Sequence, residues 1–167
     1  MEVKEMVLRS LEQSQGYLTK SLDGLTQKEA AWSPGPESNS IAFILWHMTR
    51  VEDFFINRVI QKGKELYEID GWQEKMGTPT KAYQYTAEEL KSWPVPKLED
   101  LRKYTQSVRE KTLAFIKTAT ARQLDEVPRP ERSPDSIAAT LVRISTEFAL
   151  HVGQIAYLRG VQRGLDK

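Results

Sequence analysis

The sequence contains no cysteine. Without thiolates the chain cannot form disulfides, iron–sulfur clusters or thiolate metal sites, and it carries no thiol nucleophile of its own. It also lacks the run of about 18 apolar residues that a membrane-spanning helix needs. Its first residues include acids and are not followed by the apolar stretch of a signal peptide. These absences predict a cytoplasmic protein that does not enter a membrane.

A dominant charge of one sign is missing as well. The 24 lysines and arginines oppose 23 acids, which leaves a formal net charge of +1. Such a balance gives no long-range field for nucleic acid or anionic lipid, so we expect neither as a partner. The patterns GxxxxGK[ST], GxGxxG and HExxH are also absent. With 167 residues, of which 40% are hydrophobic, the chain predicts a single globular domain over residues 1–167.

Four long segments repeat their apolar residues with the period of a helix, and no segment alternates like a strand. The predicted helices run from about Val3 to Leu22, from Ser38 or Ser40 to about Gln61, from about Pro96 to Ala119, and from Ser133 to Gly160 or Gly164. A proline suits the first helical position, which favours Pro96 and Pro134 there, with Ser133 as the N-cap of the fourth helix. Gly63 is expected to end the second helix.

The connection between the second and third predicted helices is unusually long. It spans Gly63 to Val95, or 33 residues, whereas helix–helix loops in bundles have about 2–8. A connection of this length can cross the bundle, so the two helices are expected to run parallel. Shorter helices are indicated by the capping-box spacings of Thr26 with Glu29 and of Thr86 with Glu89. The sequence therefore predicts an all-α four-helix bundle with a long crossover between helices two and three.

The two histidines are the strongest candidates for chemistry. His47 lies in the second predicted helix and His151 in the fourth, and Glu147 precedes His151 by one turn on the same helical face. If these two helices pack together, two imidazoles and one carboxylate converge and leave a coordination position open. Such a set suits zinc, nickel, iron or manganese. The alternative is a pair of hydrogen-bonded core histidines and an ordinary Glu–His surface contact.

Two strings carry a family resemblance. SIAFILWHMTRVED at residues 40–53 and EFALHVGQIAYLRG at residues 147–160 resemble the second-helix and fourth-helix signatures of the DinB-like superfamily, and TAEEL at 86–90 also matches its pattern. The resemblance covers essentially the whole chain. It implies a four-helix bundle with a divalent metal between helices two and four, at the positions of His47, Glu147 and His151. Glu147 stands where many relatives have a histidine. The arrangement with glutamate resembles the branch of mycothiol-dependent maleylpyruvate isomerase, which keeps a metal with that set of ligands.

Thiol chemistry is what this resemblance implies for function. Enzymes of the superfamily include transferases and isomerases that use bacillithiol, mycothiol or glutathione. A chain without cysteine would take its thiol from such a cosubstrate, and a metal would lower the pKa of that thiol. The expected function is thus a metal-dependent thiol S-transferase or isomerase acting on a small molecule. The alternative is a non-catalytic metal- or ligand-binding protein associated with stress. No catalytic residue is predicted.

Other residues give weaker signals. Arg50 and Arg159 are candidates for binding the carboxylates of a thiol cosubstrate, with a surface ion pair as the alternative for each. Gln154 is either a hydrogen-bond partner of the site or a polar position on a packed face. Tryptophans in a bundle are usually packing residues, and this is the role expected of the following three: Trp46, Trp72 and Trp93.

Apolar residues outside the expected core predict a homodimer. Six residues on the second and fourth helices lie beyond the apolar stripes that we assign to the core: Phe54, Ile56, Ile60, Val142, Leu150 and Val161. A twofold dimer would use the same patch on both subunits. The alternative is that the long crossover, with its tryptophans, covers one of these surfaces.

Overall fold

This computed structural model describes residues 3–164, in which nine α-helices and one π-helix are joined by turns and loops. The ends of the predicted domain, residues 1–2 and 165–167, lie outside the described range. The helices are α1 (Val3–Leu22), α2 (Gln27–Ala31), α3 (Ile41–Asp53), α4 (Leu66–Ile69), α5 (Trp72–Met76), α6 (Ala87–Lys91), α7 (Leu98–Thr118), α8 (Ala121–Asp125) and α9 (Ile137–Arg163). The π-helix, Phe54–Ile60, continues α3 without a break. Within the described range there is no strand, which confirms the all-α prediction.

The predicted starts of α2 and α3 are confirmed by their caps. The Thr26 side chain accepts a hydrogen bond from the Glu29 backbone N–H at 3.2 Å, and the Glu29 carboxylate accepts one from the Thr26 N–H at 2.8 Å. Ser40 caps α3 by accepting from the N–H of Phe43 at 3.2 Å. These local bonds satisfy N–H groups that have no partner inside the helix.

Contacts between the long helices fix their directions. Ser10 of α1 meets Ser145 of α9 at 2.6 Å, and further along α1 the carbonyl of Ser21 accepts from Arg159 of α9 at 3.0 Å, so α1 and α9 run parallel. Thr49 of α3 meets Thr105 of α7 at 2.8 Å, and the Glu52 carboxylate of α3 accepts from Thr112 of α7 at 2.6 Å. The helices α3 and α7 are therefore parallel too, as the long connection predicted.

The hydrophobic core has two parts along the bundle axis. One part joins the first halves of α3 and α7 to the second halves of α1 and α9; the other joins the π-helix and the end of α7 to the first halves of α1 and α9. Consequently α3 and α9 are antiparallel. The three tryptophans predicted to be packing residues, Trp46, Trp72 and Trp93, are all buried in the first part. No helix within residues 3–164 is both long and apolar enough to cross a membrane.

Tertiary contacts move two helix starts away from their predicted positions. The helix α9 begins at Ile137 with Ser136 as its N-cap, so the assignment of Ser133 and Pro134 to this start was wrong. Ser133 instead accepts from the N–H of Asp135 at 3.2 Å in a turn before the helix, and the Ile137 N–H donates to the Glu126 carbonyl at 2.8 Å.

The helix α7 begins at Leu98, two residues after the predicted Pro96. The side-chain amide of Gln27, on α2, accounts for the shift. It accepts from the Leu98 N–H at 2.8 Å and donates to the Pro96 carbonyl at 2.9 Å, which satisfies the backbone on both sides of the helix start. The amide thereby takes over the part that a local cap would otherwise play.

The end of the second predicted helix is a π-helix. The Gln61 N–H donates to the Ile56 carbonyl at 3.0 Å, five residues back, which is the bonding of a π-helix. This geometry turns Ile56 and Ile60 into the core, where they are 0% and 7% exposed, so their predicted place off the core was wrong. The left-handed residue after this helix is Lys62, with φ of 56°, and not the predicted Gly63.

Candidate functional site

The two histidines meet between α3 and α9. Their ring centroids are 5.0 Å apart and the rings stand edge to face, at 86°. Both side chains are partly buried. The antiparallel packing of these two helices brings together residues that lie 104 positions apart in the chain, as the family resemblance implied.

A backbone carbonyl of the crossover orients His47. The Nδ1 atom of His47 lies 2.6 Å from the carbonyl oxygen of Ala82. A carbonyl oxygen can only accept, so Nδ1 carries the proton and the Nε2 lone pair of a neutral ring stays free. Burial lowers the pKa of His47, the carbonyl of Ala82 opposes this effect, and neighbouring His151 lowers the pKa further. The lowered pKa of His47 favours the neutral ring, which is the form that binds a metal.

Gln154 gives His151 the same arrangement. The Nδ1 atom of His151 lies 2.9 Å from the side-chain oxygen of Gln154. This contact agrees with the interpretation of Gln154 as a hydrogen-bond partner of the site. On the other edge of the ring, Nε2 is 3.8 Å from a carboxylate oxygen of Glu147. Both histidines thus direct Nδ1 to an oxygen acceptor and keep Nε2 for another partner, which is the usual pattern of metal-binding histidines.

Glu147 stands at the edge of this pair. Its side chain is 45% exposed and forms no hydrogen bond within residues 3–164, since its carboxylate comes no closer than 3.8 Å to Nε2 of His151. Within residues 3–164, no three His, Asp or Glu side chains lie close enough to form a ready-made ligand set. Metal binding on His47, Glu147 and His151 would therefore require a rotation of the Glu147 side chain, which its exposure leaves free.

A cleft of about 710 Å³ opens beside His47 and Glu147. One wall is formed by α3 and the π-helix, another by α9, and the third by crossover residues 80–84. Apolar surface comes from Val51, Phe54 and Phe55. This volume lies within the range of about 300–1,000 Å³ that is typical of small-molecule sites.

Arg50 lines the cleft, but its guanidinium is already engaged. It forms a buried ion pair with Glu65, donates to the carbonyl of Thr80 at 3.0 Å and lies over the ring of Tyr67 at 3.8 Å. Arg50 is only 5% exposed. It thus holds the crossover against α3 through its two terminal nitrogens, while its buried Nε has no hydrogen-bond partner among the described residues. Its role as a carboxylate-binding residue of the cleft stays a prediction.

Arg159 does not line the cleft. It donates to the carbonyls of Ser21 and Asp23, both at 3.0 Å, and pairs with Glu29 at 3.1 Å. These bonds satisfy carbonyl groups at the C-terminal end of α1. The structure therefore places Arg159 at the far end of α9 from the cleft wall, where it joins α1, α2 and α9.

Two features near the histidines were missed in the sequence. Arg143, one turn before Glu147 on α9, lines the cleft and lies over the ring of Phe55 at 4.9 Å. Its spacing of four residues from Glu147 was a signal that could have revealed it. Glu52 is buried against Arg109 of α7 and borders a small cavity that Glu147 and His151 also line. The partner of Glu52 lies 57 residues away, and no local pattern indicates it.

Fold and site together define a class of protein: a four-helix bundle with a long crossover, a histidine pair between its second and fourth long helices, and a cleft beside that pair. The model of the DinB superfamily matches residues 10–155, and the chain belongs to that superfamily. A solved structure described as the conserved protein of a locus from Enterococcus faecalis has the same fold, with 23% identity, a TM-score of 0.86 and 99% of each chain covered. Comparison with curated proteins finds no match.

Proposed function

We propose that the chain binds one divalent metal ion through His47, His151 and Glu147, and that the neighbouring cleft binds a small molecule. The observation that carries this proposal is the shared orientation of the two imidazoles. Each directs Nδ1 to an oxygen acceptor, from Ala82 and from Gln154, while the rings lie 5.0 Å apart. Two Nε2 lone pairs and a mobile carboxylate form a mixed N/O donor set that suits zinc, nickel, iron or manganese.

Three protein ligands favour a catalytic site over a structural one. Structural zinc sites are usually closed by a fourth protein ligand, whereas catalytic sites keep a position open. The cleft beside His47 would give a substrate access to that position. A bound divalent ion would supply Lewis acidity and a lowered pKa for a coordinating thiol. The Ala82 carbonyl and the Gln154 side chain orient the two histidine ligands, and Val51, Phe54 and Phe55 would give the bound substrate apolar walls.

The reaction class that we propose is transfer or isomerisation assisted by a low-molecular-weight thiol. The chain has no cysteine, so the sulfur nucleophile must come from a cosubstrate such as bacillithiol, mycothiol or glutathione. In a transfer, the thiol gives its proton to water, the thiolate sulfur forms a bond to an electrophilic carbon, and the leaving group departs from that carbon with the electron pair of the broken bond. Membership of the DinB superfamily supports this class.

Metal content tests the site independently of activity. Untagged protein is loaded with zinc, nickel, iron or manganese in parallel, dialysed and measured by elemental analysis. We expect about one ion per chain in the wild type. His47→Ala and His151→Ala should each lose most of the bound metal, and Glu147→Gln should lose less of it. Thr146→Ala, an exposed change on the same helix, is the matched control. Unchanged metal content in both histidine variants would contradict the site.

Turnover separates the enzyme from the binding protein. The metal-loaded chain is assayed with each of the three thiols and a general electrophile such as chlorodinitrobenzene, before and after metal removal. Metal-dependent turnover with any thiol supports the S-transferase. If the metal binds through the histidines but no thiol is consumed, the non-catalytic alternative is favoured.

Self-association is proposed through the outward face of α9. Four apolar residues lie along this face at helical spacing and are half exposed or more: Val142 (51%), Leu150 (61%), Tyr157 (72%) and Val161 (50%). A row of exposed apolar residues on one helix is typical of a surface that another chain covers. Phe54, which was also predicted for the dimer surface, is partly buried at the cleft wall instead.

A further inference from the structure

Three cationic side chains line the cleft, and two of them are already paired. Arg50 forms its buried ion pair with Glu65, and the Lys81 ammonium contacts both carboxylate oxygens of Glu89 at 2.7 and 2.9 Å. Arg143 is different. Among residues 3–164 it makes neither an ion pair nor a side-chain hydrogen bond, although its guanidinium borders the cleft.

Arg143 nevertheless makes one contact at the cleft wall. Its guanidinium lies over the face of the Phe55 ring, 4.9 Å from the centroid. A cation–π contact of this kind uses none of the N–H donors of the guanidinium, so these stay available for another partner. A planar two-oxygen anion is the partner that these edges fit best, because two parallel N–H donors match two carboxylate oxygens.

The position of Arg143 defines the shape of such a ligand. Arg143 precedes Glu147 by four residues on α9, so the two side chains are neighbours, with Cβ atoms about 5–6 Å apart. An anion on Arg143 therefore lies about one helical turn from the end of the cleft where His47 and Glu147 stand. The wall between these points carries the apolar surface of Val51, Phe54 and Phe55.

We propose that Arg143 is the carboxylate anchor of the cleft, and that the ligand is a small organic acid with an apolar or aromatic body. The carboxylate pairs with Arg143, the body packs on Phe54 and Phe55, and the opposite end faces the histidines. This inference rests on the proposed function in one respect, namely that the cleft beside the histidines is a ligand site. It does not require the metal.

Binding of phenylacetate to metal-free protein tests the anchor. The probe has one carboxylate and one aromatic ring, and phenylacetamide is its neutral analogue of the same shape. Affinities are measured by NMR titration for the wild type, Arg143→Gln, Arg143→Lys and Arg122→Gln. The last is the matched control, since Arg122 is an exposed arginine on α8 outside the cleft.

We expect phenylacetate to bind the wild type and Arg122→Gln equally. Its affinity should be about tenfold weaker for Arg143→Gln and intermediate for Arg143→Lys, which keeps the charge but loses the fork of donors. Phenylacetamide should bind the wild type and Arg143→Gln alike. Equal affinity of phenylacetate for the wild type and Arg143→Gln, no preference for the acid over the amide, or no binding to the wild type would overturn the proposal.

The histidine variants distinguish this failure from failure of the proposed metal site. In metal-free His47→Ala, phenylacetate should bind as in the wild type. If the acid binds only after metal loading and this binding disappears in His47→Ala, the metal is the anchor and the role of Arg143 is refuted, while the metal site stands. If the histidine variants keep their metal but binding still depends on Arg143, the metal site is refuted and the anchor stands.

Discussion

The carboxylate of Glu52 accepts a hydrogen bond from Nη2 of Arg109 at 2.8 Å, and the two side chains are 4% and 6% exposed. Arg109 also lies over the ring of Phe148 at 3.9 Å, and Thr112 donates to the second carboxylate oxygen of Glu52 at 2.6 Å. This pair joins α3 to α7 next to the residues that carry the histidine site. Burial raises the pKa of Glu52 and the charge of Arg109 opposes that effect.

Removal of one partner from this pair should cost more than removal of both. Glu52→Leu or Arg109→Leu leaves a buried charge without its counterion, and each should lower the free energy of unfolding by about 3–5 kcal/mol. The double variant should recover a large part of that loss, because no unpaired charge remains. Urea denaturation of the four proteins measures the cycle. Additive effects of the two single changes would show that the pair does not couple.

Glu29 should make the stability of the fold depend on pH in a defined direction. Its carboxylate accepts from Arg163 Nε at 2.7 Å and from the Thr26 N–H at 2.8 Å, and these bonds, with that of Arg163 first in size, lower its pKa far below 4.5. A carboxyl whose pKa is lowered by folding stabilises the folded state at every pH above its pKa in the unfolded chain. This stabilisation is lost as the pH falls below that unfolded-state pKa. We therefore expect the Tm difference between the wild type and Glu29→Gln to be constant from pH 7 to 5.

Below pH 4.5 that Tm difference should narrow steadily as the unfolded chain takes up its proton. Thermal unfolding of both proteins at half-unit steps from pH 7 to 3 provides the measurement. Glu88→Gln is a suitable control, because Glu88 is an exposed acid whose ion-pair partner, Lys91, lies three residues away in the same helix. A Tm difference that widens toward low pH would contradict the assigned sign.

Arg50 should control the order of the crossover residues beside the cleft. It donates to the Thr80 carbonyl, two residues before the Ala82 carbonyl that orients His47. Arg50→Lys keeps the charge but cannot reach Glu65 and Thr80 together with one fork of donors. We expect faster amide hydrogen exchange in residues 79–84 and weaker metal binding, with exchange in α7 unchanged. Exchange in residues 79–84 equal to the wild type would refute this role.

The exposed face of α9 predicts the oligomeric state. Sedimentation equilibrium at micromolar concentration should give twice the chain mass of 19.2 kDa. Leu150→Glu should shift the protein to the monomer, because it places a charge in the middle of the apolar face, whereas Val127→Glu, at an exposed site outside it, should not. A single species near 19.2 kDa in the wild type would refute the dimer.

Local signals in the sequence predicted most of the fold, and distant contacts account for the errors. The Thr26–Glu29 cap and the Ser40 cap depend on residues three positions apart, and both were readable. The start of α7 depends on Gln27, about 70 residues earlier, and no pattern near Pro96 reports it. The π-helix likewise arises without a proline or glycine to mark it, so Ile56 and Ile60 were placed on the wrong face.

In the candidate site, too, local sequence patterns indicated some residues, and the contacts of others were determined by distant parts of the chain. His47, Glu147 and His151 were readable because each lies beside an apolar stripe at helical spacing. The state of Arg50 was not, since its partner Glu65 lies beyond the end of the helix, in the crossover. Arg143 was overlooked although its four-residue spacing from Glu147 was readable, because its contact with the ring of Phe55 is visible only in the structure.

The pairing of α1 with α9 has a consequence for synthesis of the chain. Ser10 contacts Ser145, 135 residues further along the chain, and α1 packs mainly on α9. The apolar face of α1, including Leu11 and Leu18, therefore stays without its main partner until α9 has been made. Contacts of such sequence separation slow folding, and exposed apolar helices in incomplete chains invite aggregation. Chaperone binding to nascent chains should accordingly persist until α9 emerges.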